Sequence, residues 1–180
     1  MEKIDINELY PTIEKLMIFK DSDENNPAHL ISKIPKDMVL ALPFLIKLTN
    51  HSDFDVRYFA GTYFDDLAEA IKEDVQYKNN KFDEGKLAFI KCFLPEIIDC
   101  LITAEAKEKY ANQESYLKLS VINLLKLFPD ESIKLLLEKS IAPPLLKMYC
   151  LSLCKEIIPD LKSYLKSHWN DIFNDLLSEE

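Results

Sequence analysis

Few residues of this chain have types and spacing that could do chemistry. Cys150 and Cys154 stand four apart, so a helix would turn both thiols to one side, where thiolates could hold a metal with His168 as a distant third ligand. The tight C-x-x-C knuckle is missing, and both cysteines fall in the apolar run PPLLKMYCLSLCKEI, where an intracellular thiol behaves as a small hydrophobe. Core thiols are expected, with no disulfide among Cys92, Cys100, Cys150 and Cys154. The carboxylates Asp65, Asp66, Glu69 and Glu73 could form a metal or acid/base pair on a helix, yet no histidine stands at the i+3 spacing of di-iron bundles. A solvated acidic face is the simpler expectation. The stretch DSDENN alternates aspartates as a calcium loop does, but the glycine after them is absent and Ser32 occupies the place of the closing glutamate. The three histidines, His29, His51 and His168, are scattered, and no G-x-S-x-G, phosphate-cradling glycine loop or Cys-His signature is present. No catalytic residue, metal site or cofactor is expected, and no enzymatic activity.

The elements around these residues read as helices punctuated by prolines. Only two glycines, Gly61 and Gly85, are available for tight hairpins, and Leu, Ile, Lys and Glu far outnumber Val, Thr and Trp. An all-α protein follows, and 180 residues suit one domain spanning 1–180 or one short repeat array. INELYPTIEKLMIF is expected to be helical, with Leu9, Ile13, Leu16 and Met17 on one face and Asn7 as its cap. A polar loop follows, then a short element at AHLISKI and an apolar helix from about Lys36 to Asn50. DFDVRYFAGTYFDDLAEAIKEDVQY is amphipathic and acid-rich. Val56, Ala60, Tyr63 or Phe64, Leu67 and Ile71 recur at helical spacing, and Asp65, Asp66, Glu69, Glu73 and Asp74 fall mostly on other faces. KLAFIKCFLPEIIDCLIT is expected as one apolar helix, and AEAKEKYANQE as either its extension or a looser insertion. Helices at SYLKLSVINLLKLF, PDESIKLLLEKS and PPLLKMYCLSLCKEI, the latter two opened by proline, precede one or two more in PDLKSYLKSHWNDIFNDLLSEE.

Three of these segments align without gaps. Val56-Arg57-Tyr58-Phe59-Ala60 matches Leu117-Lys118-Leu119-Ser120-Val121 and Leu146-Lys147-Met148-Tyr149-Cys150, and the match runs on to Leu67, Phe128 and Ile157. The offsets, 61 and 29 residues, are unequal, so the repeat is irregular. An apolar helix containing or introduced by proline lies upstream of each, with Pro43, Pro95 and Pro129. The stretch from Leu42 to Ile71 resembles a HEAT repeat, whose first helix bends at a proline, whose turn carries aspartate and whose second helix begins Val-Arg before a buried alanine. Here these are Pro43, Asp53 or Asp55, Val56, Arg57 and Ala60. The other pairs keep lysine where the family favours arginine. The resemblance implies a short irregular α-solenoid of antiparallel helix pairs. It also implies that Arg57, the only arginine of the chain, is a strut bonded to loop aspartates. Stacked pairs share a core and leave an extended surface suited to gripping another macromolecule.

Charge narrows the choice of that macromolecule. A net charge of −9, with basic charge carried almost wholly by lysine, repels phosphate backbones and offers no bidentate fork for bases. No nucleic acid is expected as partner; a basic protein is. Acid mixed with tyrosine on the outer side of the DFDVRYFAGTYFDDLAEAIKEDVQY helix, at Tyr58, Thr62, Asp65, Asp66, Glu69 and Glu73, suits such a partner, because charge steers encounter and an aromatic ring anchors it. No apolar run is long enough for a bilayer and MEKIDINELY has no secretory character, so a cytoplasmic protein off the membrane is expected. Met1 and the polar LLSEE resemble the natural limits of a short protein. By size, acidity and helical type the chain is similar to HEAT-like bacterial toxin-immunity proteins. That resemblance implies an inhibitor of a basic nuclease-type toxin, and the lysine-, isoleucine- and asparagine-rich composition is compatible with a bacterial source. A scaffold or adaptor module is the alternative. A DNA glycosylase of HEAT-like architecture ranks below both, since it would need a basic groove.

Overall fold

The computed structural model describes residues 11, 14–15, 27–35, 39–106, 111–139 and 144–168. The helix expected at INELYPTIEKLMIF, the DSDENN loop and the end of the chain after His168 lie almost wholly outside them. Among the described residues all regular structure is helical. In chain order these are α1 (Pro27–Ile31), a 3-10 turn (Val39–Ala41), α2 (Leu42–Leu48), α3 (Phe54–Tyr77), α4 (Glu84–Cys92), α5 (Leu94–Ala106), α6 (Ala111–Leu125), α7 (Pro129–Lys139) and α8 (Pro144–Ile157). A ninth helical stretch, α9, covers 161–168.

Prolines decide where several of these elements begin. The single helix expected from Lys36 to Asn50 is instead a 3-10 turn followed by α2, with Pro43 in the first two positions of the helix. Proline has no N–H to donate and its ring clashes with the carbonyl four residues back, so an α-helix tolerates it only in its first turn. Pro43 therefore starts α2 and does not bend it. The same constraint splits KLAFIKCFLPEIIDCLIT into α4 and α5: the chain turns at Phe93, whose N–H donates to the Ile90 carbonyl, and Pro95 falls in the first turn of α5. Of the charged stretch AEAKEKYANQE, the start through Ala106 belongs to α5 and the end from Ala111 to α6, and the middle, on which the choice between extension and insertion turns, lies outside the described residues.

The chain forms two compact units, Met1–Leu124 and Leu125–Glu180. In the first, α1 and α2 pack on α3, α2 meets α5, and α4 packs against α5 and the 3-10 turn. The inner face of α3 is its centre: Val56, Ala60, Phe64, Leu67 and Ala68 are fully buried, with Tyr63 and Ile71 nearly so. Tyr63 keeps its hydroxyl satisfied by donating to the Pro35 carbonyl at 3.2 Å. At the end of α2, Thr49 Oγ1 donates to the Ile46 carbonyl (2.7 Å) and lies 3.3 Å from Cys100 Sγ on α5. Helix α6 lies against α3 at Gly61, where an added Cβ would stand 3.1 Å from Leu117 Cδ1. One turn further on, Asn123 Nδ2 donates to Asp65 Oδ1 at 2.8 Å. Both contacts advance in the same sense, so α3 and α6 run parallel.

In the second unit α7 packs on α8, burying Ile133, Leu136, Cys150, Leu153 and Cys154. Ser132 Oγ donates to the Leu125 carbonyl, which satisfies a buried hydroxyl. Tyr164 on α9 donates to the Asp130 carboxylate and stacks on His168 with ring centroids 4.3 Å apart. Two of the aligned positions agree in burial, Ala60, Val121 and Cys150 being fully buried and Leu67, Phe128 and Ile157 buried as well, whereas Val56 is buried and its counterparts Leu117 and Leu146 are half-buried. Phe128, however, sits in the turn before α7 and not on the helix of its segment.

The close approach at Gly61 yields a stability test. Gly61→Leu should destabilise the protein by roughly 1–3 kcal/mol through overpacking, measured by urea unfolding, and Leu117→Ala in the same chain should restore part of the loss. Unchanged stability in the single variant would contradict the packing of α6 on α3.

Candidate functional site

Helix α3 carries almost every residue that the sequence marked, and its start is built by its own turn. Asp53 caps it, its side chain accepting from Val56 N at 3.0 Å, and Asp55 lies exposed in the first turn, where a carboxylate complements the helix dipole. Asp53 N in turn donates to His51 Nδ1 at 3.0 Å. Arg57 reaches back over this turn: its Nη1 donates to the carbonyls of His51 (2.6 Å) and Ser52 (2.7 Å), and its guanidinium lies over the Phe54 ring. These short bonds satisfy carbonyls just after α2, so Arg57 fastens the α2–α3 turn through its backbone. Val56 and Ala60, one and two turns in, belong to the core.

The six residues expected to meet a partner divide into two sets. Asp66, Glu69 and Glu73 are exposed along one stripe. Tyr58, Thr62 and Asp65 are half-buried. The Tyr58 ring packs against Phe54 and Phe59, with centroids 5.9 and 5.1 Å away. Thr62 Oγ1 donates to the Phe59 carbonyl at 2.8 Å, and Asp65 holds Asn123 of α6. The outer face of α3 is thus acidic in its C-terminal half and aromatic near its start.

Asp74 does not belong to that face. It is buried, three residues after Ile71 and seven after Leu67, on the inner side. Its Oδ1 accepts from Lys81 N at 2.8 Å and its Oδ2 from Phe82 N at 3.0 Å. Its carbonyl accepts from the N–H groups of Lys78 and Asn79. Those bonds offset the cost of burying a charge, and the backbone N–H of Phe82 and then that of Lys81 hold the carboxyl below its ordinary value of 3.8. Lys78 and Asn80 both take left-handed backbone conformations, with φ of 52° and 54°, so the turn leaving α3 is tightly specified. A pattern of apolar spacing assigns an aspartate to the outside by its polarity, and only the geometry of the following turn reveals why this one is inside.

The thiols pack as small core groups. Cys150 and Cys154 are buried in the second unit, and burial, with Cys150 beside it, pushes the Cys154 thiol up to about 12. Burial also raises Cys150 and Cys100. Such thiols stay protonated near neutrality and are poor ligands or nucleophiles. Cys92, by contrast, is exposed at the end of α4. His51 lies in the α2–α3 turn, His29 on α1 and His168 on α9, in no common cluster. Among the described residues no three His, Cys, Asp or Glu side chains converge on a metal-sized space, and no helix is long and apolar enough to cross a membrane. What the site offers is a charged, partly aromatic surface for contact.

No family model, curated protein or solved structure matches this chain.

The depressed Asp74 carboxyl gives a pH prediction. A carboxyl whose folded value lies below its unfolded value stabilises the fold above the unfolded pKa, and that contribution is lost as pH falls through the folded value. The native protein should therefore lose stability on acidification below about pH 4, and Asp74→Asn should be less stable at neutral pH with a shallower acid limb. Equal acid limbs in urea titrations at several pH values would contradict the assignment.

Proposed function

We propose that this protein is a non-enzymatic inhibitor that binds one basic protein through the acidic outer face of α3. The observation that carries the reading is the exposed stripe Asp66, Glu69 and Glu73 on a helix whose opposite face is locked into the core. Rigid carboxylates on a chain of net charge −9 raise the encounter rate with a cationic surface and make binding salt-dependent. The resemblance of Leu42–Ile71 to a HEAT repeat adds the architecture. Helices α2/α3 and α5/α6 act as successive pairs of a short irregular α-solenoid, first helix against first and second against second. The inhibitor acts in the cytoplasm on a nuclease-type toxin by covering the cationic surface with which that toxin holds its substrate, as an immunity protein does.

Affinity capture of the tagged protein from its native lysate at low and moderate salt tests this. One small basic protein should be retained at equimolar ratio, its activity should fall on adding purified inhibitor, and the variant Asp66→Asn/Glu69→Gln/Glu73→Gln should weaken the complex by about tenfold or more. Several substoichiometric partners, or an undiminished activity of the retained protein, would favour a scaffold module instead.

A further inference from the structure

We propose that His51 makes the α2–α3 turn a proton-sensitive latch: the neutral ring closes the turn on the start of α3, and a proton on its Nδ1 releases it. The ring nitrogen is an acceptor here, since the backbone N–H of Asp53 donates to Nδ1 at 3.0 Å. Imidazole accepts at Nδ1 only when that nitrogen carries no proton, so the bond exists only in the neutral form with its hydrogen on Nε2. The arrangement does with a ring what an Asx-turn does with asparagine, whose side-chain oxygen takes the N–H two residues on. The difference is that imidazole changes charge between about pH 5 and 8, whereas an amide does not.

Three further bonds converge on the same turn. Arg57 Nη1 donates to the His51 carbonyl at 2.6 Å and to the Ser52 carbonyl at 2.7 Å, and the His51 N–H donates to the Leu48 carbonyl at 3.0 Å. A proton on Nδ1 would set a donor against the Asp53 N–H and place a second cation on the residue whose carbonyl the Arg57 guanidinium already holds. Asp53 offers no easy compensation: its Oδ1 accepts from Val56 N at 3.0 Å as the cap of α3, so turning to the imidazolium would uncap the helix. Asp55 is exposed in the first turn of α3. Of the elements packed around α2 and α3, α2 itself contributes the exposed Lys47, α1 the exposed His29 and α6 the half-buried Lys118. Helix α5, which meets the end of α2 where Thr49 Oγ1 lies 3.3 Å from Cys100 Sγ, contributes that buried thiol and the exposed Asp99. Burial raises the Cys100 thiol, so it stays neutral while imidazole titrates. At the other end of α3 the Asp74 carboxyl is held below 3.8, so the two ends of the helix respond to acid in separate ranges.

Nitrogen-15 NMR of the full-length, isotope-labelled protein tests both halves of the latch, reading the His51 ring and the hydrogen exchange of the Asp53 amide. At pH 8 the ring should be the Nε2–H tautomer and the Asp53 amide protected. As the pH falls to 5, protection corrected for intrinsic exchange should drop about threefold or more, in step with protonation of the His51 ring. His51→Asn keeps an acceptor that does not titrate, so its Asp53 protection should stay level across that range. His51→Ala should be poorly protected at both ends of it. His29 and His168 are present in all three proteins, so their titration is common to every comparison. Should His51→Ala fail to fold, the contrast between the native chain and His51→Asn decides alone. An Nδ1–H tautomer in the native protein, or Asp53 protection unchanged while the His51 ring takes up its proton, would overturn the latch. A fall in protection that persists in His51→Asn would assign the effect to other groups and overturn it equally.

Discussion

The first unit depends on the burial of one face of α3. Five of its side chains are shut off from solvent completely, and the helix meets three different neighbours, α1, α2 and α6. Each large apolar side chain buried in this way contributes about 1.5–3 kcal/mol, so one helix holds together elements from distant parts of the sequence. The same face favours a small residue at Gly61, because an added Cβ would stand 3.1 Å from Leu117 Cδ1 of α6. It also demands a paired carboxylate at Asp74, because the last turn of the buried face would otherwise leave the N–H groups of the following loop without acceptors.

Fixing the inner face fixes the outer one. A helix held on one side cannot rotate, so Asp66, Glu69, Glu73 and Tyr77 are presented in a constant order and orientation. The bonds at either end work to the same result. Arg57 and Asp53 tie the N-terminal end to the turn after α2, and Asp74 ties the C-terminal end to the turn before α4. A surface prepared in this way spends little conformational entropy in meeting a partner, which favours recognition of one shape and charge pattern.

The helical class was legible in the sequence because apolar residues recur at helical spacing and glycine is nearly absent. The core of α3 was legible for the same reason, down to Val56, Ala60, Tyr63 and Leu67. Proline positions were visible but their effect was misjudged. Pro43 and Pro95 were placed inside continuous apolar helices, where the missing N–H and the ring clash instead force new helix starts. Asp74 was hidden because its burial depends on two backbone N–H groups seven and eight residues ahead, in a turn whose left-handed residues are Lys78 and Asn80 and include no glycine. Tyr58 and Asp65 sat on the outer side of the helical wheel, as expected, but a wheel contains no neighbouring rings and no α6. Tyr77 was read as the end of a helix. Its exposure at the end of the acidic stripe emerges only from the packed structure.

The central claim is that the exposed carboxylates of α3 lie against cationic groups of a partner. Zero-length carbodiimide cross-linking of the native complex, followed by mass spectrometry of the joined peptides, tests it most directly, because the reagent links a carboxylate to a lysine only when the two are in contact. The account predicts links from partner lysines to Asp66, Glu69 and Glu73. Links confined to other acidic residues, with those three unmodified by the partner, would contradict it.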